Sequence, residues 1–209
     1  METVIIASKN KNKIKEIEEI LSTMQMKAIS REDAGVPDFD VEETGKTFEE
    51  NAFIKARAIC EASGKITIAD DSGLEVDFLS GRPGVYSARY GGPEQDDGKN
   101  NAKLLRELKD VPFENRTARF VCCIVMVYPD GDRVSVRGEC KGHILEQIQG
   151  NSGFGYDPLF LPDGQSETFA QMSKEEKNRI SHRAGALGKL KAKLEERDLN
   201  TPSKQENYG

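Results

Sequence analysis

The chain has 209 residues, enough for one well-formed hydrophobic core, with 36% apolar and 32% charged residues. Its formal net charge of −6 leaves no overall basic footprint for duplex nucleic acid or an anionic membrane surface. No run approaches the ~20 apolar residues that cross a bilayer, and the opening METVIIASKNKNK lacks the pattern of a signal peptide.

TVIIAS (3–8) reads as a short buried strand. Ile14, Ile17, Leu21 and Met24 then recur at helical spacing, which predicts a helix starting near Asn10. Residues 31–46 are polar with Gly and Pro, a loop that carries Glu42 and Glu43. Thr47 and Glu50 stand at capping-box spacing before FIKARAICEA, so a second helix begins there. KITIAD (65–70) is the next strand and GLEVDFL (73–79) continues extended; Asp70 and Asp71 end the first run and enter a predicted turn. Segment 80–92 reads as loop, and NNAKLLREL within 99–108 as a third helix. TARFVCCIVMVY (117–128) and RVSVRGECKG (133–142) flank Pro-Asp-Gly-Asp, the pattern of a β-hairpin. A glycine-rich loop, GNSGFGYDPLF, follows. Ser173 and Glu176 open a last helical region that breaks near Ser181 and ends around Arg197.

Early βα units and a central antiparallel hairpin imply a mixed α/β sheet with helices on its faces. Strand order does not follow from the sequence. With no internal repeat and no linker, one domain is expected over 1–197, with 198–209 a polar, disordered tail. Cys60, Cys122, Cys123 and Cys140 lack CxxC spacing and read as buried free thiols, the adjacent pair pointing to opposite faces of a strand. That usage suits a reducing compartment, the cytoplasm.

Four constellations can carry chemistry. Ser8-Lys9-Asn10-Lys11-Asn12-Lys13 gathers hydroxyl, amide and ammonium groups around a helix N-terminus, which suits phosphate. The P-loop pattern is absent, and a solvated lysine-rich turn is the competing reading. One of Asp70 and Asp71 can bind a hard divalent cation, with Glu42 or Glu43 as a second ligand, while the other orients a ligand, water or backbone; alternatively Asp-Ser-Gly is ordinary turn chemistry. Ser152-Gly153-Phe154-Gly155-Tyr156-Asp157-Pro158 suits a pocket that stacks a flat ring, or a tight loop whose aromatics fill core. Lys177 and Ser181 share a helical face, and Arg183 adds a fork of donors suited to carbonyl or phosphate oxygens. His143 stands apart and reads as structural. Combined, the four supply what a magnesium-dependent nucleoside triphosphate enzyme needs.

From residue 3 to about 195 the chain resembles the inosine triphosphate pyrophosphatases, also called XTP/dITP diphosphatases. The resemblance rests on six motifs in order: S-x-N-x-x-K at 8–13, E-E-T-G-x-T-F-x-E-N-A at 42–52, A-D-D-S-G-L at 69–74, PGVYSARY at 83–90, GFGYDP at 153–158 and EEKNxISHR at 175–183. It implies an elongated mixed sheet with flanking helices and two lobes around a central cleft. It also implies a homodimer, a need for Mg2+, and hydrolysis of dITP, ITP and XTP to the monophosphate and pyrophosphate. By the same resemblance Ser8, Asn10 and Lys13 hold the triphosphate, with Lys9, Lys11 and Asn12 in the same cradle. Glu43 and Asp71 become magnesium ligands, Asp71 the proton acceptor and Lys13 a catalytic cation. Ser72 meets the substrate, Phe154, Gly155, Tyr156 and Asp157 line the base and sugar pocket, and Lys177, His182 and Arg183 reach the base or phosphates. Asp70 supports the turn or the ligands behind the metal. Many bacterial members carry Thr-Gly in place of Ser8-Lys9, so one cradle glycine is lost here; some carry tryptophan in place of Tyr156.

On this reading a water positioned by Asp71 attacks the α-phosphorus while Lys13 stabilises the leaving pyrophosphate. An Arg183 donor welcomes O6 of hypoxanthine or xanthine, where adenine offers an amino group. The competing readings are a Maf-like nucleotide pyrophosphatase and a nucleotide-binding regulatory module without turnover. A role on nucleic acid fits the net charge poorly.

Overall fold

A computed structural model describes residues 3–200. Its strands are β1 (Thr3–Ile6), β2 (Lys27–Ser30), β3 (Thr67–Val76), β4 (Thr117–Val127), β5 (Arg133–Ile144) and β6 (Phe160–Pro162). They form one mixed sheet in the order β2-β1-β3-β4-β5-β6. β1 pairs parallel with both β2 and β3, whereas β3 to β6 pair antiparallel in succession. The helices are α1 (Lys11–Ser22), α2 (Phe48–Ser63), α3 (Asp97–Glu107), α4 (Lys174–Ile180) and α5 (His182–Asn200).

Period-two alternation assigns each side of the sheet its helices. Val4, Ile6 and Ile68 pack with Ile17 and Leu21 of α1 and Leu187, Leu190 and Leu194 of α5. Ile5 and Ala69 face the other way, against Ala52, Ala56 and Ile59 of α2. Cys122 and Cys123 divide between the two sides as expected, and all four cysteines are free and buried. A third cluster joins Leu74 and Val76 to Leu104 and Leu108 of α3 and to Phe160 and Phe169.

The local signals for helix starts hold. Thr47 Oγ1 accepts from Glu50 N–H at 3.1 Å and Glu50 Oε2 from Thr47 N–H at 3.2 Å, and Ser173 and Glu176 repeat the arrangement at α4. Ser181 ends α4 in an extended conformation, so the last helical region does break there. α5 runs to Asn200, past the expected end at Arg197; of the expected tail, 201–209 lies outside the described residues. The strands β2 and β6 have no counterpart in the sequence reading, since runs of four and three residues are too short to show a period. Segment 80–92 also contains a 3₁₀ turn, Gly84–Arg89.

One expectation fails where it matters most. Asp70-Asp71-Ser72-Gly73 is no turn: β3 pairs with β4 without interruption, Asp70 opposite Ile124 and Asp71 opposite Cys123. Gly73 is there for close approach, because a Cβ would stand 2.5 Å from Ser87 Oγ and 2.6 Å from Gly84 O. Glycine also sets the seat of α5. A Cβ on Gly138 of β5 would overlap the His182 carbonyl and the Ala186 amide.

Gly138→Ala should therefore lower stability by about 1–3 kcal/mol, as overpacking does. Urea unfolding measures it; an unchanged midpoint would mean that α5 can shift without loss.

Candidate active site

Beyond Ile68 the strand β1 no longer pairs with β3, and a cavity of about 560 Å³ opens along the freed edge. Residues from both faces of β3 line this one space: Asp70 and Ser72 from the α1/α5 side, Asp71 and Gly73 from the α2 side. That answers why two adjacent carboxylates can serve a single site although strand neighbours point apart.

One wall is the N-terminus of α1. Asn10 caps it, accepting from Lys13 N–H at 3.3 Å, and Ser8 Oγ accepts from Asn10 N–H at 3.2 Å. The first turn holds no acidic residue, so its positive end stays uncompensated by side chains of the helix itself. Ser8, Asn10 and Lys13 line the cavity. Lys9 lines it too, but its ammonium pairs with Asp38 and Asp40, each at 2.9 Å. Lys11 is exposed and is not part of the lining; the side chain of Asn12 lies outside the described ones.

Behind this wall sits a buried ionic network. Asp70 Oδ2 accepts from Ser72 Oγ at 2.8 Å, pairs with Lys13 Nζ at 3.2 Å and with Arg183 Nη2 at 3.1 Å. Burial pushes the Asp70 pKa upward, but Lys13, Arg183 and Lys55 outweigh it and hold the carboxyl well below the usual range. Glu16 of α1 bonds Arg183 on its other side and lies 3.7 Å from Lys177 Nζ. Arg183 is 2% exposed, with Nε, Nη1 and Nη2 all bonded inside the protein. Four of its five N–H donors thus engage Asp70, Ser72 and Glu16 rather than the cavity.

On the opposite face of β3, Lys55 of α2 places Nζ 3.0 Å from Glu43 Oε1 and 3.3 Å from Asp71 Oδ1. Asn51, one turn earlier on α2, accepts from Gly45 N–H at 2.8 Å and donates to Asp71 Oδ2 at 3.2 Å. This single amide ties the loop of Glu43 to Asp71. Burial is the main influence on Asp71, ahead of the opposing charges of Lys55 and Lys13, and leaves its pKa raised. Two carboxylates thus converge on one cation, here an ammonium, and Asp70 Oδ1 is buried without a hydrogen-bond partner among the described residues. Hard carboxylate oxygens in this number fit Mg2+, which takes one or two carboxylates and completes its shell with water and phosphate oxygens.

The far end of the cavity is built by the glycine-rich loop. Asp157 Oδ2 accepts from Phe154 N–H at 2.9 Å and from Lys177 Nζ at 2.7 Å, and the ammonium lies 4.8 Å over the Phe154 ring. Tyr156 lines the cavity, and of the two readings of this loop its ring follows the core-filling one. Its ring is 3% exposed within the core and its hydroxyl donates to Ser87 O at 2.8 Å, so it is wall rather than stacking platform. His182 stacks on Phe120, ring centroids 4.8 Å apart, and its Nδ1 has no hydrogen-bond partner among the described residues. Burial, then the charges of Arg183 and Lys177, keep its imidazole neutral far below 6.5. His143, outside the cavity, pairs with Asp163 and stacks on Phe113.

Sequence reasoning passed over Glu16, Asn51 and Lys55. Asn51 and Lys55 stand at i, i+4 beside the buried Ala52 and Ala56, two polar residues on an otherwise apolar helix face. That was the signal available.

The Ham1 family model matches residues 4–193. A Clostridium perfringens protein named dITP/XTP pyrophosphatase is 52% identical over 200 residues, covering 93% of this chain and 98% of its own. A Bacillus subtilis protein of the same name is 48% identical, covering 93% and 98%. The solved structure of the Staphylococcus aureus Ham1 protein is 45% identical with a TM-score of 0.85, covering 94% of this chain and all of its own.

His182 gives a pH signature. The folded chain keeps it neutral while the unfolded chain takes up a proton near 6.5, so stability falls as pH drops below that value. Its share is about 1.4 kcal/mol per pH unit. Urea unfolding from pH 7 to 5 should show a shallower slope in His182→Gln; equal slopes would mean that the buried imidazole takes up its proton readily.

Proposed function

This chain belongs to the Ham1 family, and on that premise we propose that it cleaves dITP, ITP and XTP to the monophosphate and pyrophosphate. Its standing as a nucleoside triphosphate pyrophosphatase follows from the family and from relatives named for that activity. The observation that best supports the finer reading is the convergence of Glu43, Asp71 and Lys55 beside a helix N-terminus in one cavity.

In this reading the α1 N-terminus, Ser8, Asn10 and Lys13 hold the triphosphate by N–H groups and charge. Glu43 and Asp71 hold Mg2+, which when bound polarises the phosphorus and neutralises the leaving pyrophosphate. Asp71 takes the proton of the attacking water on its carboxylate, which Asn51 orients at Oδ2 and Lys55 pairs at Oδ1 until substrate arrives. Until then Lys55 bridges Asp71 and Glu43.

Base selection belongs to the other end. With most of the Arg183 donors engaged, a further group able to read position 6 is Nδ1 of neutral His182, which has no hydrogen-bond partner among the described residues and as N–H would meet O6 and oppose a 6-amino group. Phe154 supplies an apolar face for the ring, with Lys177 and Asp157 forming the rim. The enzyme would act in the cytoplasm, where nucleotides are drawn for synthesis, and as a homodimer. No helix among the described residues is long and apolar enough to cross a membrane.

Turnover of ITP, dITP, XTP, GTP and ATP, with and without Mg2+, tests the assignment when pyrophosphate and orthophosphate are assayed separately. Pyrophosphate from the first three is expected; orthophosphate would place the attack at the γ-phosphorus and sink the reading. Asp71→Asn should lose at least about 10²-fold in kcat while keeping the far-ultraviolet circular dichroism of the parent. Near-parental turnover in that variant would remove Asp71 as the base.

A further inference from the structure

Burying an amide is unfavourable unless its polar atoms are bonded, yet α3 buries two in succession, Asn100 and Asn101. Both spend their bonds on the backbone of other segments. Asn100 accepts from Gly91 N–H at 2.6 Å and donates to Ala88 O at 3.0 Å. Asn101 Nδ2 donates to Gly155 O at 2.9 Å, and Asp97 Oδ2, one turn earlier, accepts from Gly155 N–H at 2.7 Å. Residues four apart share a helix face, so one rigid surface holds both peptide units that flank Gly155.

Gly155 has φ +62, and no neighbour stands within 4 Å of where its Cβ would be. Packing therefore does not fix its conformation; these hydrogen bonds do. Gly155, Asp97 and Asn100 line the cavity, whereas Asn101, which holds the Gly155 carbonyl, does not.

We propose that Asn101 is a specificity-determining positioning residue: by holding the Gly155 carbonyl on α3, it withholds an acceptor from the base pocket. The inference rests on the base-pocket reading given above. A carbonyl released to turn inward would accept the amino group of adenine or guanine and oppose the O6 of hypoxanthine. Asn101 Oδ1 has no partner among the described residues, so its bond to Gly155 is what offsets burying the amide. An apolar residue would fill the same volume with less desolvation.

The test compares the full chain with Asn101→Leu and Asn101→Ser, measuring kcat and KM for ITP, GTP and ATP with Mg2+, and calorimetric binding of tripolyphosphate, which has no base. KM for ITP should rise about tenfold with kcat within about threefold, and the preference for ITP over GTP and ATP should narrow by about tenfold. Tripolyphosphate affinity should not change. Equal losses for ITP and tripolyphosphate would make Asn101 a general structural residue and overturn the proposal, as would an unchanged ITP preference. If the parent chain itself binds ITP no more tightly than tripolyphosphate, the base-pocket reading falls and this inference with it. Amide hydrogen exchange in the parent adds a check independent of any variant: residues 153–157 should be protected without substrate, and fast exchange there overturns the clamp.

Discussion

The carboxylate of Asp70 is the interaction on which the site depends. It lies almost wholly out of water and stays ionised because Lys13 from α1 and Arg183 from α5 reach it from two separate helices. Removing one member of such a buried group typically costs about 3–5 kcal/mol, because the charges left behind remain desolvated. Two helices far apart in sequence are thereby fixed against one strand. Glu16 extends the same network to Lys177, and through Lys177 to Asp157 of the glycine-rich loop. The α1 end of the cavity and the end built by the glycine-rich loop are therefore connected by alternating charges rather than by apolar contact alone.

Strand geometry explains how the two aspartates divide their labour. Asp70 faces the side covered by α1 and α5 and is compensated by cations, which suits it to hold those cations in place. Asp71 faces α2, where burial outweighs the compensation of Lys55, and keeps a basic carboxylate next to Glu43. Both open onto the same space only because β1 ends at Ile6, freeing the edge of β3. A β1 extended by a few residues would pair along that edge and close the cavity.

The walls are set by backbone captured by side chains. Asn51 holds the Glu43 loop, Ser87 Oγ accepts from Leu74 N–H at 2.9 Å, and the Tyr156 hydroxyl bonds the Ser87 carbonyl. These links run from the strand that bears Asp71 to the loop that bears Phe154. Glycine at 73 lets the segment of Ser87 approach closely enough for its link to form.

Much of this was legible in the sequence, because it is encoded locally. The capping boxes at Thr47 and Ser173, the hairpin around Gly131 and the break at Ser181 each arise from a few adjacent residues, and each is present. The motifs named the residues that gather in the cavity, Ser8, Asn10, Lys13, Glu43, Asp71, Phe154, Asp157, Lys177, His182 and Arg183 among them. Partnership was not legible, since it depends on contacts across as many as 167 positions, as between Glu16 and Arg183. Sequence could mark Arg183 as a donor, but only tertiary packing showed four of its five N–H groups engaged by Asp70, Ser72 and Glu16. It could place Asp-Asp-Ser-Gly after an apolar run, but local propensity favours a turn there, and the unbroken ladder with β4 overrode it. Local chemistry chose the groups; the end of β1 and the crossing of α1, α2 and α5 decided which of them meet.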